Sequence, residues 1–154
     1  LIIQKAVELG TYSIIPVATH RSVVKLNEKK AVSKIQRWQA ISEAAAKQSK
    51  RRIIPEVQMP MNMQQAVQFA AQMEVKLIPY ELSEGMQKTK ELISNIRPGQ
   101  NIAVFIGPEG GFDDKEIEMA QNAGIIPITM GRRILRTETA GFTILSWLMY
   151  HLEQ

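Results

Sequence analysis

The amino-acid sequence predicts a single α/β domain, with a parallel sheet flanked by helices. Short apolar runs alternate with longer segments in which apolar residues recur every three or four positions, the spacing of one helix face. Strands separated by helices pair in parallel, because each helix returns the chain to the starting edge of the sheet. At 154 residues the chain is long enough to bury one core without disulfides or a metal ion.

The first third of the chain contains two predicted helices on either side of a β-rich stretch. A helix over residues 1–9 ends at Gly10, since glycine suits the left-handed conformation that closes many helices. Residues 12–18 are the β-rich stretch, and the longest predicted helix covers residues 28–49. Its apolar face comprises Val32, Ile35, Trp38, Ile41 and Ala45.

The remaining two thirds repeat pairs of helices and strands. Asp113 and Glu116 have the spacing of a capping box, in which each side chain bonds to the other residue's backbone amide. Thr137 is predicted to cap the final helix. The predicted elements are an extended segment or short strand at 53–57, a helix at 62–73, a strand at 75–80, a helix at 86–96, a strand at 101–106, a helix at 113–123, a strand at 125–130 and a helix from 137 to the C-terminus.

Composition excludes several classes of function. The chain has no cysteine, which removes disulfides, zinc ribbons and thiol chemistry and suits a cytoplasmic protein. Its two histidines are too few for a histidine-based metal site, so we expect no metal. No apolar run approaches the roughly 18 residues of a membrane-spanning helix, so we expect no membrane partner. The formal net charge of +4 permits a nucleic-acid partner without indicating one.

Two glycine-marked loops carry the strongest functional signal, because each follows a predicted buried strand. Residues 106–111 read Ile-Gly-Pro-Glu-Gly-Gly, and residues 130–140 mix three arginines with an apolar pair. Ligands of open α/β sheets bind where parallel strands end, and loops with little side-chain bulk let backbone amides approach them. A tight turn alone rarely needs three glycines and a proline. Neither loop has the spacing of a Walker loop or of the dinucleotide-binding motif.

Arg136 is the charged residue that a purely structural role explains least. It directly precedes Thr137, so its cation lies at the positive end of the helix dipole, where it is unfavourable without an anionic partner. That partner is Glu138, Glu109 or a nucleic-acid phosphate. The two other arginines of the loop have the simpler interpretation of solvated side chains.

Two strings in these loops match the pattern of one known family. They are Ile-Gly-Pro-Glu-Gly-Gly-Phe at 106–112 and Met-Gly-Arg-Arg-Ile-Leu-Arg-Thr-Glu-Thr-Ala at 130–140. The chain thereby resembles the SPOUT methyltransferases, in particular the family that methylates N3 of a uridine in small-subunit (16S) ribosomal RNA. Upstream segments agree with that pattern, so the resemblance extends over nearly the whole chain.

The resemblance implies that residues 1–154 form a SPOUT methyltransferase domain with a C-terminal trefoil knot. It further implies S-adenosylmethionine as the cofactor, a homodimer with the C-terminal helix in its interface, and an N-terminal RNA-binding domain that is missing from this chain. The residues it assigns to cofactor binding are Ile78, Pro79, Tyr80, Ile106, Gly107, Pro108, Glu109, Gly110, Gly111, Met130, Gly131, Ile134, Leu135, Arg136, Thr137 and Ala140.

The same resemblance makes ribosomal RNA of the small subunit the expected partner. Uridine N3 carries a proton that must leave, so we expect Arg136 to stabilise negative charge on the uracil and Glu138 to orient the base or accept the proton. These two are the predicted catalytic residues. Phosphate contacts that position the RNA are predicted for Lys5, Arg21, Gln48, Lys50, Arg51 and Arg52.

Three other functions remain open at this point. The nearest is a SPOUT enzyme that methylates a ribose 2′-hydroxyl of tRNA or rRNA, although such relatives typically have Ser-Leu-Asn-Val-Ser where this chain has Ile-Leu-Arg-Thr-Glu at 134–138. The second is an RNA-binding module without catalysis. The third is a nucleotide-dependent oxidoreductase, which the missing glycine motif disfavours.

Overall fold

Helices and short strands alternate along the residues that the computed structural model describes, which are 1–21, 28–81 and 85–153. The helices are α1 (Ile2–Glu8), α2 (Glu28–Gln48), α3 (Met63–Ala70), α4 (Gln87–Ser94), α5 (Asp114–Asn122) and α6 (Thr137–Leu152). The strands are β1 (Ser13–Ile14), β2 (Val17–Ala18), β3 (Glu56–Val57), β4 (Met61–Asn62), β5 (Val75–Pro79), β6 (Ile102–Val104) and β7 (Ile126–Ile128). Each strand pair within these ranges is parallel, so the predicted α/β class is confirmed.

Strand β5 lies in the middle of a three-stranded sheet whose order is β6-β5-β7. Leu77 of β5 aligns with Val104 of β6 and with Ile126 of β7. Leu77 and Ile78 point to opposite faces, because side chains alternate along a strand, and both are fully buried. Leu77 packs against Ile144 of α6, whereas Ile78 packs in the cluster formed with α3 and α5. The sheet therefore has helices on both faces, which fixes the loops that follow its strands.

The four N-terminal strands form an interrupted two-stranded ribbon, β1 with β3 and β2 with β4. Pro16 lies between β1 and β2, and Pro60 lies between β3 and β4. Proline has no amide hydrogen to donate, so the ladder breaks at these positions. It continues on either side, where the Gln58 amide donates to the Ile14 carbonyl at 2.9 Å and the Met61 amide to the Pro16 carbonyl at 3.0 Å.

Two capping boxes set where helices α3 and α5 begin. Asn62 Oδ1 accepts from the Gln65 amide at 2.8 Å, and Gln65 Oε1 accepts from the Asn62 amide at 2.9 Å. The predicted helix at 62–73 therefore begins at residue 63, and Asn62 belongs to β4, a strand that the sequence did not predict. The predicted box of Asp113 and Glu116 is confirmed, with reciprocal bonds of 2.8 and 3.0 Å.

The buried face of α2 matches the predicted one only in part. Ala45 is buried as predicted, together with Ala31, Ser42 and Ala46, whereas Val32 is 43% exposed. Small side chains let α1 approach closely, and Ala45 and Ala46 pack against Val7 of α1. Ser42 contributes a hydroxyl that donates to the Pro55 carbonyl at 2.6 Å. Apolar spacing did not identify Ala31, Ser42 and Ala46, because close helix packing selects for small volume as well as hydrophobicity.

Candidate functional site

The three segments predicted to line a ligand pocket meet at one edge of the β6-β5-β7 sheet. Parallel strands end at the same edge, and Pro79 of β5 aligns with Ile128 of β7. The Tyr80 amide donates to the Ile128 carbonyl at 2.9 Å, and the Phe105 amide donates to the Leu77 carbonyl at 2.9 Å. The sheet order thus brings residues 78–80, 106–111 and 130–140 to neighbouring strand ends.

The first glycine-marked loop uses its glycines for two different reasons. The Gly111 amide donates to the Pro108 carbonyl at 2.8 Å, and Gly111 has a φ of +74°, which favours glycine. Gly107 has no such φ, but a Cβ there would lie 3.1 Å from the Phe112 ring. The loop is therefore closed partly by backbone conformation and partly by packing against a buried aromatic ring.

Thr137 joins the two glycine-marked loops, which corrects its predicted role as a helix cap. The N-cap residue of α6 is Arg136, and no side chain caps that helix. Thr137 Oγ1 instead donates to the Gly107 carbonyl at 3.0 Å. Gly141, one turn further along α6, would place a Cβ 3.9 Å from Ile106 Cγ1, so α6 lies directly against the end of β6. The hydrogen bond from Thr137 to Gly107 therefore joins the start of α6 to the first glycine-marked loop.

This junction presents several backbone amides to one side of the sheet edge. Among the described residues, the amides of Gly107, Glu109 and Gly110 donate to no acceptor. The first turn of α6 also lacks a side-chain cap, so its amides keep a partial positive charge. Neutral donors of this kind suit the ring nitrogens of a purine or the oxygens of a ribose. These amides can therefore act as backbone hydrogen-bond donors to a polar ligand.

Arg136 lies exposed at the start of α6 and forms no ion pair with a carboxylate of the described residues. Neither Glu109 nor Glu138 is within ion-pair distance of it, so two of its three predicted partners are not found in the described structure. Glu138 is half-buried in the first turn of α6, where a negative charge is favourable. A phosphate or a developing negative charge on a substrate remains as the anion that would pair with Arg136.

A buried hydroxyl that the sequence did not single out supports the loop after β7. Thr89 of α4 is fully buried, and its Oγ1 donates to the Thr129 carbonyl at 2.8 Å. Thr129 Oγ1 in turn accepts from the Gly131 amide at 3.3 Å. A lone threonine on a helix gives no sequence signal for such a contact, since its acceptor is 40 residues away.

The residues predicted to contact RNA divide into two groups. Gln48, Lys50 and Arg52 are exposed at the end of α2. Arg51 is half-buried, and its Nη1 donates to the carbonyls of Thr11 at 2.6 Å and Val7 at 3.1 Å. Arg51 therefore joins α1 to α2, and RNA contact by the same side chain stays a prediction. Two further members are also engaged, Lys5 with Glu8 at 3.2 Å and Arg21 with the first glycine-marked loop.

The described residues contain neither a membrane-spanning helix nor a cluster of metal-binding side chains. No helix in these ranges is long and apolar enough to cross a membrane. Residues 1–21, 28–81 and 85–153 also contain no group of three or more His, Asp or Glu side chains placed to hold a metal ion.

Comparison with known proteins identifies relatives along almost the whole chain. The family described as "RNA methyltransferase domain" matches residues 1–149. A Bacillus subtilis protein, ribosomal RNA small subunit methyltransferase E, is 37% identical over 155 residues, which cover 99% of this chain and 60% of that protein. The chain thus spans about three fifths of the length of this relative.

Two solved structures extend the comparison to the fold. A Legionella pneumophila structure, described as a putative methyltransferase with bound cofactor SAM, is 35% identical with a TM-score of 0.88, over 98% of this chain and 60% of that one. A Neisseria gonorrhoeae ribosomal RNA small subunit methyltransferase E, bound to S-adenosyl methionine, is 33% identical with a TM-score of 0.80, over 97% of this chain and 59% of that one. Both share the arrangement of strands and helices described above.

Proposed function

The chain belongs to the RNA methyltransferase domain family, and from that premise we propose that it transfers a methyl group from S-adenosylmethionine to small-subunit ribosomal RNA. The acceptor we propose is N3 of a uridine. The observation that carries the proposal is the hydrogen bond from Thr137 to the Gly107 carbonyl. It closes two loops into one site at the strand ends, where α/β proteins bind ligands.

The residues at this site fit S-adenosylmethionine. Gly107 lets the loop backbone pack closely against Phe112, where a Cβ would crowd the ring. The amides of Gly107, Glu109 and Gly110 have no acceptor among the described residues and are donors for an adenine or ribose. When bound, the cofactor supplies a methyl group on a sulfonium, so positioning of the acceptor contributes most of the rate. The residues named for cofactor binding from the sequence remain proposals, and Gly107 and Thr137 are those that the geometry supports most directly.

Arg136 and Glu138 carry the proposed acid–base chemistry. Arg136 is an exposed cation at the start of α6, unpaired with any carboxylate in residues 1–21, 28–81 and 85–153, where it would stabilise negative charge on the uracil as the N3 proton leaves. Glu138 follows within the same helical turn, where it would orient the base or accept that proton.

The proposal is tested by calorimetric titration of the chain with S-adenosylhomocysteine, with NAD as the control ligand. We expect saturable binding of S-adenosylhomocysteine near one per chain and none of NAD. Folded protein that binds neither would overturn the cofactor assignment and favour an RNA-binding module. Mass spectrometry of methylated RNA then separates base N3 from ribose 2′-oxygen as the acceptor.

Replacing Thr137 with valine tests the junction between the loops. Valine keeps the shape of threonine but cannot donate to the Gly107 carbonyl, so we expect affinity for S-adenosylhomocysteine to fall about fivefold, the value of one hydrogen bond. Thr137→Ser keeps the hydroxyl and is expected to bind normally. Thr139→Val serves as the matched control, because Thr139 is exposed on the same turn. Equal affinity in Thr137→Val and Thr139→Val would show that the bond does not shape the site.

The exposed end of α2 is the proposed RNA-facing surface, and its test leaves Arg51 intact. We expect Lys50→Asn with Arg52→Gln to weaken RNA binding and to reduce the slope of log K against log salt by about 1.5. Asparagine is chosen because Lys50 has a φ of +60°, a region that asparagine tolerates. Lys88→Gln with Lys90→Gln, exposed on α4, removes the same charge elsewhere. A slope that falls equally in both double variants would mean that net charge alone is responsible.

Helix α6 supports a homodimer. Only Ile144 and Leu148 of this helix are buried, whereas several large apolar side chains are half-buried and Tyr150 is 91% exposed. Burial against a second copy would cover them. Sedimentation equilibrium is expected to give the mass of two chains. The half-buried residues are Phe142, Leu145, Trp147 and Met149.

Three further assignments belong to the same proposal. The path of the chain supports the SPOUT trefoil knot. Strands β7 and β6 lie on opposite sides of β5, and after β7 the chain crosses back so that Thr137 contacts the loop that follows β6. Residues 1–154 would form a SPOUT methyltransferase domain. The cytoplasm is the proposed location, because ribosomal RNA is the proposed substrate.

A further inference from the structure

Arg21 makes a long-range contact to the first glycine-marked loop that neither the fold nor the family match explains. Its Nη1 donates to the Gly110 carbonyl at 2.8 Å and lies 3.5 Å from the Phe112 carbonyl. A guanidinium holds its donors in a rigid plane, so it fixes acceptors more closely than an ammonium would. One side chain therefore restrains both ends of the turn that begins at Gly110.

The residue before it holds the helix that follows the same loop. The His20 amide donates to Glu116 Oε2 at 3.2 Å, and His20 Nδ1 lies 3.1 Å from Asp113 Oδ2. Glu116 and Asp113 use their other carboxylate oxygens for the capping box of α5. Each carboxylate thus bonds once within its own helix start and once to His20, so residues 20–21 are attached to both the loop and α5.

Gly110 provides the space that this attachment needs. A Cβ at Gly110 would lie 3.5 Å from both Cβ and Cδ of Arg21, so the aliphatic part of Arg21 packs over the position where a side chain would begin. The structure shows that a Cβ there would meet Arg21.

From these contacts we propose that Arg21 is a positioning residue of the cofactor site, which holds the 107–112 loop in its binding conformation through the Gly110 carbonyl. The inference rests on the proposed function. It assigns Arg21 an effect on cofactor binding that is independent of RNA, whereas a phosphate contact would act only when RNA is present. A preorganised loop costs less to order on binding, so losing the restraint weakens affinity without new clashes.

The test compares Arg21→Gln and Arg21→Lys with Arg97→Gln, an exposed arginine after α4 that belongs to neither the cofactor site nor the RNA-facing surface. In calorimetry without RNA, we expect the Kd for S-adenosylhomocysteine to rise about tenfold in Arg21→Gln, rise about threefold in Arg21→Lys and stay unchanged in Arg97→Gln. Melting temperatures of all three should match the wild-type chain within a few degrees. Hydrogen exchange of a peptide covering 107–112 is expected to accelerate in Arg21→Gln with no ligand present.

A double-mutant cycle sharpens the test. Gly110→Val would displace the aliphatic part of Arg21 and so disturb the same contact that Arg21→Gln removes. The loss of binding free energy for the cofactor in the double variant should therefore be smaller than the sum of the losses in the two single variants. Unchanged Kd and unchanged exchange in Arg21→Gln, with wild-type chain that binds S-adenosylhomocysteine, would overturn the role of Arg21 alone. Wild-type chain that fails to bind would overturn the proposed function as well, and the exchange data would still report whether Arg21 restrains the loop.

Discussion

Replacing Arg136 with alanine is expected to lower methyl transfer to small-subunit RNA by about 10²- to 10³-fold, the usual cost of removing one group that stabilises developing charge. Affinity for S-adenosylhomocysteine should change by less than about twofold, because the backbone of the loop is unaltered. The free energy of unfolding should rise by about 0.3–1 kcal/mol, since a cation is removed from the positive end of α6. Single-turnover kinetics, calorimetry and denaturant unfolding measure the three quantities.

The opposite signs of these effects make the Arg136 experiment specific. A variant that is more stable and binds cofactor normally, yet turns over slowly, has lost a catalytic group. Arg133→Ala is the matched control, because Arg133 is an exposed arginine of the same loop and lies outside the helix start. Normal turnover in Arg136→Ala, or an equal loss in both variants, would remove Arg136 from the proposed chemistry.

Replacing Gly107 with valine is expected to abolish measurable cofactor binding, a loss of at least about 100-fold in affinity. A Cβ at Gly107 would lie 3.1 Å from the Phe112 ring and 3.3 Å from the Phe112 amide, so the loop must move away from both. Overpacking of this kind also costs about 1–3 kcal/mol of stability. Calorimetric titration with S-adenosylhomocysteine and thermal unfolding give the two readouts.

Gly85→Val is the control for Gly107, because a Cβ at Gly85 meets no atom within 4 Å. Adding Phe112→Leu to Gly107→Ala should restore part of the affinity by making room where the methyl group enters. Full affinity in Gly107→Val would contradict the assignment of this loop to the cofactor. Equal losses in Gly85→Val and Gly107→Val would mean that the effect is not local to the loop.

Sequence patterns predicted those parts of the molecule whose causes are close along the chain. The capping box of Asp113 and Glu116 was found because both partners lie within one helical turn. Apolar spacing predicted helix α2 to within one residue at its C-terminal end. It did not predict that Val32 is exposed, because the packing of α1 decides which face of α2 is buried.

Contacts between distant segments account for what the sequence could not show. Thr137 has the residue type of a cap, yet its hydroxyl is taken by Gly107, which is 30 residues away. Arg51 belongs to a basic run that was predicted to contact RNA, but its guanidinium donates to the carbonyls of Val7 and Thr11, which are 44 and 40 residues away. The contact from Arg21 to Gly110 spans 89 residues. Each of these partners becomes available only after the strands are ordered.

The order β6-β5-β7 also has a consequence for when the protein becomes competent during its own synthesis. The first glycine-marked loop leaves the ribosome before β7 and α6, and it cannot be closed until Thr137 has emerged and returned to Gly107. Parallel strands with long crossovers form slowly, because distant segments must meet before they gain contacts. The nascent chain therefore exposes this loop before Thr137 is available to close it, and the proposed cofactor site is complete only after α6 has docked.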